Sequence, residues 1–96
     1  MHIKNDNPAY VSLDIDVVDP AYAPGTGTPE VGGFTGREIL TLVRGLRGLD
    51  MRGADVVEVL PAIDPAEITA LLAANLMYEL ISLLALRRKE GGSAAP

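Results

Sequence analysis

Apolar residues fall in four blocks along the chain, and the spacing within each block predicts an element. Residues 9–18, AYVSLDIDVV, are β-branched and apolar apart from two aspartates and predict a buried strand. Ile39, Leu40, Leu42, Val43 and Leu46 recur at helical spacing behind Thr35 and Glu38, a T-x-x-E capping box, so a helix starts there and ends by Gly48. Residues 54–60, ADVVEVL, are short, β-branched and bounded by Gly53 and Pro61, which predicts a second strand. Asp64 as a cap, Pro65 at the first position and Glu67 at the third predict a helix over residues 65–86.

That last helix is apolar around most of its circumference, with Asn75, Glu79 and Ser82 as a narrow polar stripe, so it needs neighbours on several sides. About 20 apolar residues also suffice to cross a bilayer. Asn75 and Glu79 near the middle are costly in hydrocarbon and favour the reading without a membrane. Between the first strand and the first helix, residues 20–36 are rich in proline and glycine and follow neither period, which predicts a long, ordered loop. The order strand, loop, helix, strand, helix reads as α/β with a parallel sheet. Two strands and two helices cannot cover both faces of such a sheet, so the expected fold is part of a larger one.

Composition narrows the functional classes. The 96 residues contain no cysteine, which excludes a disulfide scaffold, a cysteine zinc site and a thiol nucleophile. Thirteen acidic against eight basic residues give a net charge of −5, which speaks against nucleic acid or anionic membranes as partners. His2 is the single histidine, so a histidine-based metal or catalytic site needs residues from elsewhere. The segment MHIKNDNPAY lacks the apolar core of a signal peptide, and the expected location is the cytoplasm.

Four stretches carry candidate chemistry. Asp14 and Asp16 sit two apart near the end of the first predicted strand, so their carboxylates share a face and repel unless a cation lies between them. Their oxygens suit a hard ion such as manganese or magnesium; the plainer alternative is that Asp-x-Asp begins a turn. Asp19 before Pro20 reads as an Asx turn opening the loop. Residues 25–28, GTGT, lack the lysine of a phosphate loop, and Thr28 and Glu30 are candidate pocket residues or simple turn residues. Glu58, inside the apolar run VVEVL, either faces a polar cavity or meets a buried cation such as a substrate guanidinium; the plainer alternatives are a salt bridge to Arg37, Arg44 or Arg52, or an exposed edge strand. Glu38 and Glu67 are assigned to capping.

The run SLDIDVVDP (residues 12–20), continuing through APGTGTPEVGG, closely resembles the second metal-binding signature of the ureohydrolases, the family of arginase and agmatinase. DVVEVLP (residues 55–61) resembles the family's strand with the guanidinium-binding glutamate, and AEITALLAANLMYELISLL is similar to its last helix. The resemblance covers residues 9–86, leaving 1–8 as a non-matching extension and 87–96 as a tail of helix-end cations followed by disorder. It implies the carboxyl-terminal part of a three-layer α/β/α, arginase-like fold, incomplete in this chain. It also implies a metal-dependent amidinohydrolase that releases urea from a small guanidino substrate at two manganese ions. By position, Asp14 matches the carboxylate bridging the two ions, Asp16 a further ligand on one of them, and Glu58 the carboxylate orienting the guanidinium. Thr28 and Glu30 match the loop that shapes the substrate pocket; no further catalytic residue is assigned. Thr-Pro-Glu in the loop and the AEIT helix start resemble agmatinase more than arginase, which implies agmatine hydrolysed to urea and putrescine. Arginase, guanidinobutyrase, guanidinopropionase, formimidoylglutamase and a noncatalytic remnant are the alternatives. A homo-oligomer, trimer or hexamer, is implied for the complete enzyme. The family's histidine-bearing motifs, G-G-D-H and D-A-H-x-D, are absent from these 96 residues, so the chain by itself is expected to be inactive and to bind manganese weakly.

Overall fold

In the computed structural model, which describes residues 7–92, two strands and two helices follow in the order β1 (Pro8–Asp14), α1 (Gly36–Arg44), β2 (Asp50–Val57) and α2 (Ile68–Gly92). Short 3-10 turns lie at Ile15–Val17, Pro61–Ile63 and Pro65–Glu67. The strands pair in parallel, with Pro8 opposite Asp50 and Asp14 opposite Val57. A parallel pair needs a long crossover, and residues 15–49 supply it through the loop and α1.

The pairing passes from Ala9–Met51 to Tyr10–Gly53, so Arg52 is the extra residue of a bulge. The bulge shifts the alternation of β2, and Met51 before it and Ala54 and Val56 after it all pack toward the core. Val11 and Leu13 of β1, Ile39 and Val43 of α1, and Leu76, Leu80 and Leu83 of α2 meet them on that same side. Leu76 and Leu80 are fully buried, each burial favouring the fold by about 1.5–3 kcal/mol. The opposite face of the sheet carries Tyr10, Ser12 and Val57, all exposed.

Element boundaries differ from the sequence reading for local reasons. β1 ends at Asp14 because residues 15–17 close a 3-10 turn, so the expected strand 9–18 is shorter and Asp16 lies in the turn. Val18 makes only an isolated bridge to Phe34. β2 begins at Asp50, four residues earlier than expected, because its register with Pro8 extends that far, and it ends at Val57, before Glu58. α1 has the expected capping box: the Glu38 amide donates to the Thr35 hydroxyl at 3.0 Å and the Thr35 amide to the Glu38 carboxylate at 2.9 Å. It ends at Arg44 with Gly45 as its cap, and Gly48, at φ 104°, turns the chain into β2.

Residues 65–67 form a 3-10 turn with Ala66 and Glu67 at positive φ, so Glu67 caps nothing and α2 starts at Ile68. The cap is Asp64, whose carboxylate accepts from the amides of Thr69 and Ala70, both at 2.9 Å. At its other end α2 passes the expected stop at residue 86 and continues to Gly92. Arg87 holds Asp50 at 2.7 Å and Arg47 pairs with Glu90 at 3.6 Å, so the last turns are tied to the body of the chain. Most of the expected extension, residues 1–6, and the end of the expected tail, 93–96, lie outside the described residues. By length and composition α2 is apolar enough to cross a membrane. Here it lays one face on β2 and α1, and its Glu79 pairs with Arg44. Asn75 and Ser82 donate to the carbonyls of Leu71 and Tyr78, four residues back.

Asp50, 6% exposed, fixes the end of the sheet remote from Asp14. Arg52 bonds both its oxygens at 3.0 and 3.2 Å, and Arg87 adds a third contact. The Arg52 hydrogen bonds hold the Asp50 carboxyl below the usual carboxylate range, with Arg87 reinforcing them against the opposing effect of burial. Its folded pKa is thus the lower one, so these contacts stabilise the fold above the unfolded value of about 3.9 and are lost as pH falls through the folded value. Urea titrations followed by circular dichroism should therefore show Asp50→Asn less stable at neutral pH, with a shallower loss of stability on acidification than the parent chain. In the same assay Leu76→Ala should cost about 2–5 kcal/mol, whereas Tyr78→Ala, at a 70% exposed position, should change stability by about 0.5 kcal/mol or less.

Candidate active site

The parallel register places the two informative carboxylates at one edge. Asp14 is the last residue of β1 and lies opposite Val57, the last residue of β2, so Glu58 follows immediately beside it. Both are at the carboxyl ends of parallel strands, where open α/β sheets place their ligands. Asp16 remains next to Asp14 although it has left the strand, because the Asp16 amide donates to Asp14 Oδ1 at 3.1 Å. The aspartates are brought together by a turn, with Ile15 between them fully buried as their anchor.

The loop folds back onto this pair. The Thr28 hydroxyl donates to Asp16 Oδ2 at 2.9 Å, so Thr28 holds the aspartate. Glu30 is exposed on the same loop. Asp19 makes the expected Asx turn, its carboxylate accepting from the amides of Ala21 and Gly32 at 2.9 Å each. Those two bonds, Ala21 first, hold its carboxyl below the ordinary range. Gly33 packs against the carbonyl of Val17, where a Cβ would come within 2.5 Å.

Further along, the Gly25 amide donates to the buried Thr69 hydroxyl at 2.6 Å and the Gly25 carbonyl accepts from the Leu60 amide at 2.7 Å. A Cβ at Gly25 would collide with Asp64 at 2.6 Å. Burial pushes the Asp64 carboxyl up, but the amides of Thr69 and Ala70 and the Thr69 hydroxyl hold it lower than usual. The segment around Thr28 is thereby tied both to the start of α2 and to the residues that follow Glu58. Thr26, fully buried, keeps its hydroxyl unpaired among the described residues, an arrangement that costs about 1–3 kcal/mol.

Glu58 departs from the sequence reading. It is exposed and outside the strand, with φ at 73°, a left-handed conformation that a residue with a Cβ adopts at a cost of about 1–2 kcal/mol. Two of the arginines considered as its partners are engaged elsewhere, Arg44 with Glu79 and Arg52 with Asp50. The flip ends the pleat and turns the carboxylate out at the strand end. Strain of this kind persists where surrounding structure holds it, and it clusters at functional sites.

A hard divalent ion suits the oxygen donors of Asp14 and Asp16 in kind, but not in number. Among the described residues no three His, Cys, Asp or Glu side chains are placed to hold one metal ion, and His2 lies outside those residues. A metal ion held by the carboxylates of this edge would need further donors from outside the described residues. Sequence reasoning also missed a polar cluster one step behind the edge. Ser12 and Tyr10 donate to Asp55 at 2.6 and 2.9 Å, and the Asp55 bond raises the Tyr10 pKa. Its signal was the alternation of positions 10, 12 and 14 on one strand, legible only once the register set Ser12 opposite Asp55.

Comparison with known proteins gives this geometry a context. The Arginase family profile matches residues 1–82. Guanidinopropionase of Pseudomonas aeruginosa is 63% identical over 78 residues, which are 81% of this chain and 24% of that protein. Agmatinase of Shigella dysenteriae is 52% identical over 88 residues, 92% of this chain and 29% of its own length. The crystal structure of a hypothetical agmatinase from Burkholderia thailandensis superposes with a TM-score of 0.80 at 51% identity, covering 90% of this chain and 26% of that one. The chain thus spans about a quarter of the length of the relatives it matches.

The left-handed backbone at Glu58 makes a measurable demand. Glu58→Gly should be more stable than Glu58→Ala by about 1 kcal/mol in urea titration, because only glycine is free of the Cβ penalty there. Equal stabilities would show that Glu58 carries no strain.

Proposed function

The chain belongs to the arginase family, and we propose that it is the carboxyl-terminal part of an agmatinase-like ureohydrolase whose complete form hydrolyses agmatine to urea and putrescine. What carries the reading is the juxtaposition of Asp14, Asp16 and Glu58 at one strand edge, in a stretch 52% identical to an agmatinase. The reaction adds one water: a C–O bond forms at the guanidinium carbon, the C–N bond to the alkyl nitrogen breaks, and both water protons end on the leaving amine.

Each residue has a part that its position supports. Asp14 and Asp16 supply adjacent carboxylate arms to two manganese ions, with the remaining ligands contributed by the rest of the complete enzyme. The ions, when bound, make a water nucleophilic near neutral pH and polarise the group it attacks. Thr28 fixes the outer oxygen of Asp16, the kind of supporting bond that keeps a metal-binding carboxylate in orientation. Glu58 receives the planar guanidinium through paired charge-assisted hydrogen bonds, turned toward it by the left-handed backbone. Glu30 lies on the same loop and bounds the pocket for the substrate's far end. The complete enzyme works as a homo-oligomer in the cytoplasm, and the 96 residues alone release no urea.

A second substrate reading is favoured by the 63% identity to a guanidinopropionase, in which the far end is a carboxylate instead of an amine. Grafting residues 9–86 of this chain in place of the matching stretch of Shigella dysenteriae agmatinase tests the proposal. The graft should hydrolyse agmatine with added manganese. Asp14→Ala within it should lose about a hundredfold in kcat/KM or more, since loss of a supporting residue alone typically costs 10–100-fold. Glu58→Gln should raise KM for agmatine and leave manganese content unchanged. A folded, manganese-loaded graft inactive on both agmatine and guanidinopropionate would overturn the reading.

A further inference from the structure

The middle of the long loop is buried, although its composition is that of a surface turn. Ala23 and Thr26 are fully buried and Gly25 between them is buried as well, whereas Gly27 and Thr28 emerge again. Both backbone polar groups of Gly25 must therefore find partners in the interior. Its amide donates to the Thr69 hydroxyl at 2.6 Å, and its carbonyl accepts from the Leu60 amide at 2.7 Å. Thr69, itself fully buried, bonds on to the Asp64 carboxylate, and the Asp64 side chain occupies the space that a Cβ on Gly25 would need. Gly25 is thus pinned between the start of α2 and the chain that leaves β2. Hydrogen bonds linked in series and ending on a carboxylate strengthen one another.

The two arms of this junction lead to the two halves of the candidate site. Three residues beyond Gly25, Thr28 reaches Asp16 Oδ2 at 2.9 Å. Two residues before Leu60, Glu58 turns out at φ 73°, so the Leu60 bond holds the chain just after the flip. We propose that Thr69 and Asp64 are positioning residues for the guanidino substrate, setting through Gly25 the placement of Glu58 relative to Asp14 and Asp16. The proposal rests on the function proposed above and deepens it. A fastener that served stability alone would leave substrate binding untouched, and that difference is measurable.

The test uses the graft of residues 9–86 in Shigella dysenteriae agmatinase. Thr69→Val keeps the shape of the side chain and removes the hydroxyl. It should raise KM for agmatine about tenfold, the lower end of what loss of a supporting bond costs, with kcat within about twofold and manganese content unchanged. Thr69→Ser, which restores the hydroxyl, should return KM to that of the graft. Hydrogen–deuterium exchange read by mass spectrometry should show residues 25–28 and 58–60 losing protection together in Thr69→Val. Gly25→Ala, which drives the loop off Asp64, should produce the same pair of changes and serves if Thr69→Val does not fold. An unchanged KM, a loss confined to kcat, no rescue by serine, or exchange that rises in one segment alone would each overturn the proposal. Should the folded, manganese-loaded graft hydrolyse neither agmatine nor guanidinopropionate, the enzymatic reading fails and exchange alone decides: a joint rise supports the junction, and any other pattern overturns it.

Discussion

The parallel register of β1 and β2 is the constraint on which the rest depends. With Asp14 opposite Val57, both strands end at the same level, and residues 43 positions apart in sequence become neighbours. One step of slippage would invert which side chains of β1 face the helices and carry Asp14 away from Glu58. Register is held at both ends and in the middle. The inward side chains of Leu13, Met51 and Val56 pack under Leu76 and Leu80, Asp55 binds Ser12 and Tyr10 across the strands, and Asp50 ties the start of β2 to the end of α2. The bulge at Arg52 belongs to the same device, since it allows the residues on either side to point inward.

A long loop contributes to a site only if its position is determined, and here the determination comes from few residues. Asp19 closes the base of the loop through two amides. Gly25 secures its middle by close contact with Asp64 and by bonds to Thr69 and Leu60. Asp64 acts twice, as cap of α2 and as the wall against which Gly25 fits. Thr28, three residues on from Gly25, is thereby delivered to Asp16. Glycine at 25 and 33 answers to steric contact, as both positions would bring a Cβ within 2.6 Å of another atom; their φ values are not the reason.

Much of this was legible in the sequence, and what was not has physical causes. The capping box of α1, the Asx turn at Asp19 and the α/β order follow from local chemistry that needs no tertiary partner. The signature around Asp14 and Asp16 was readable because few sequences place two carboxylates in so apolar a run. The boundaries failed where long-range pairing decides them: β2 reaches back to Asp50 only because β1 is there to pair with it, and α2 runs past residue 86 because Arg87 finds Asp50. Glu58 was read as part of a strand since its neighbours are valines; nothing local announces a left-handed glutamate. Two donors converging on Asp55 could not be read before the register was known.

The molecule separates its charges by function. At one end of the sheet Asp50 is neutralised by Arg52 and Arg87, and the group serves to hold strand to helix. At the other end Asp14 and Asp16 are held by an amide and a hydroxyl, which orient them without supplying positive charge. Arginines are present in the chain, yet Arg44 goes to Glu79 and Arg47 to Glu90, on the helical side. An edge with oriented carboxylates and, among the described residues, no cation paired to them retains its electrostatic attraction for whatever cation arrives, whereas the same carboxylates paired to arginine would have spent it. The fold thus keeps its structural ion pairs and its candidate binding carboxylates at opposite ends of two strands, and a chain of this length can do so because the strands run parallel and end together.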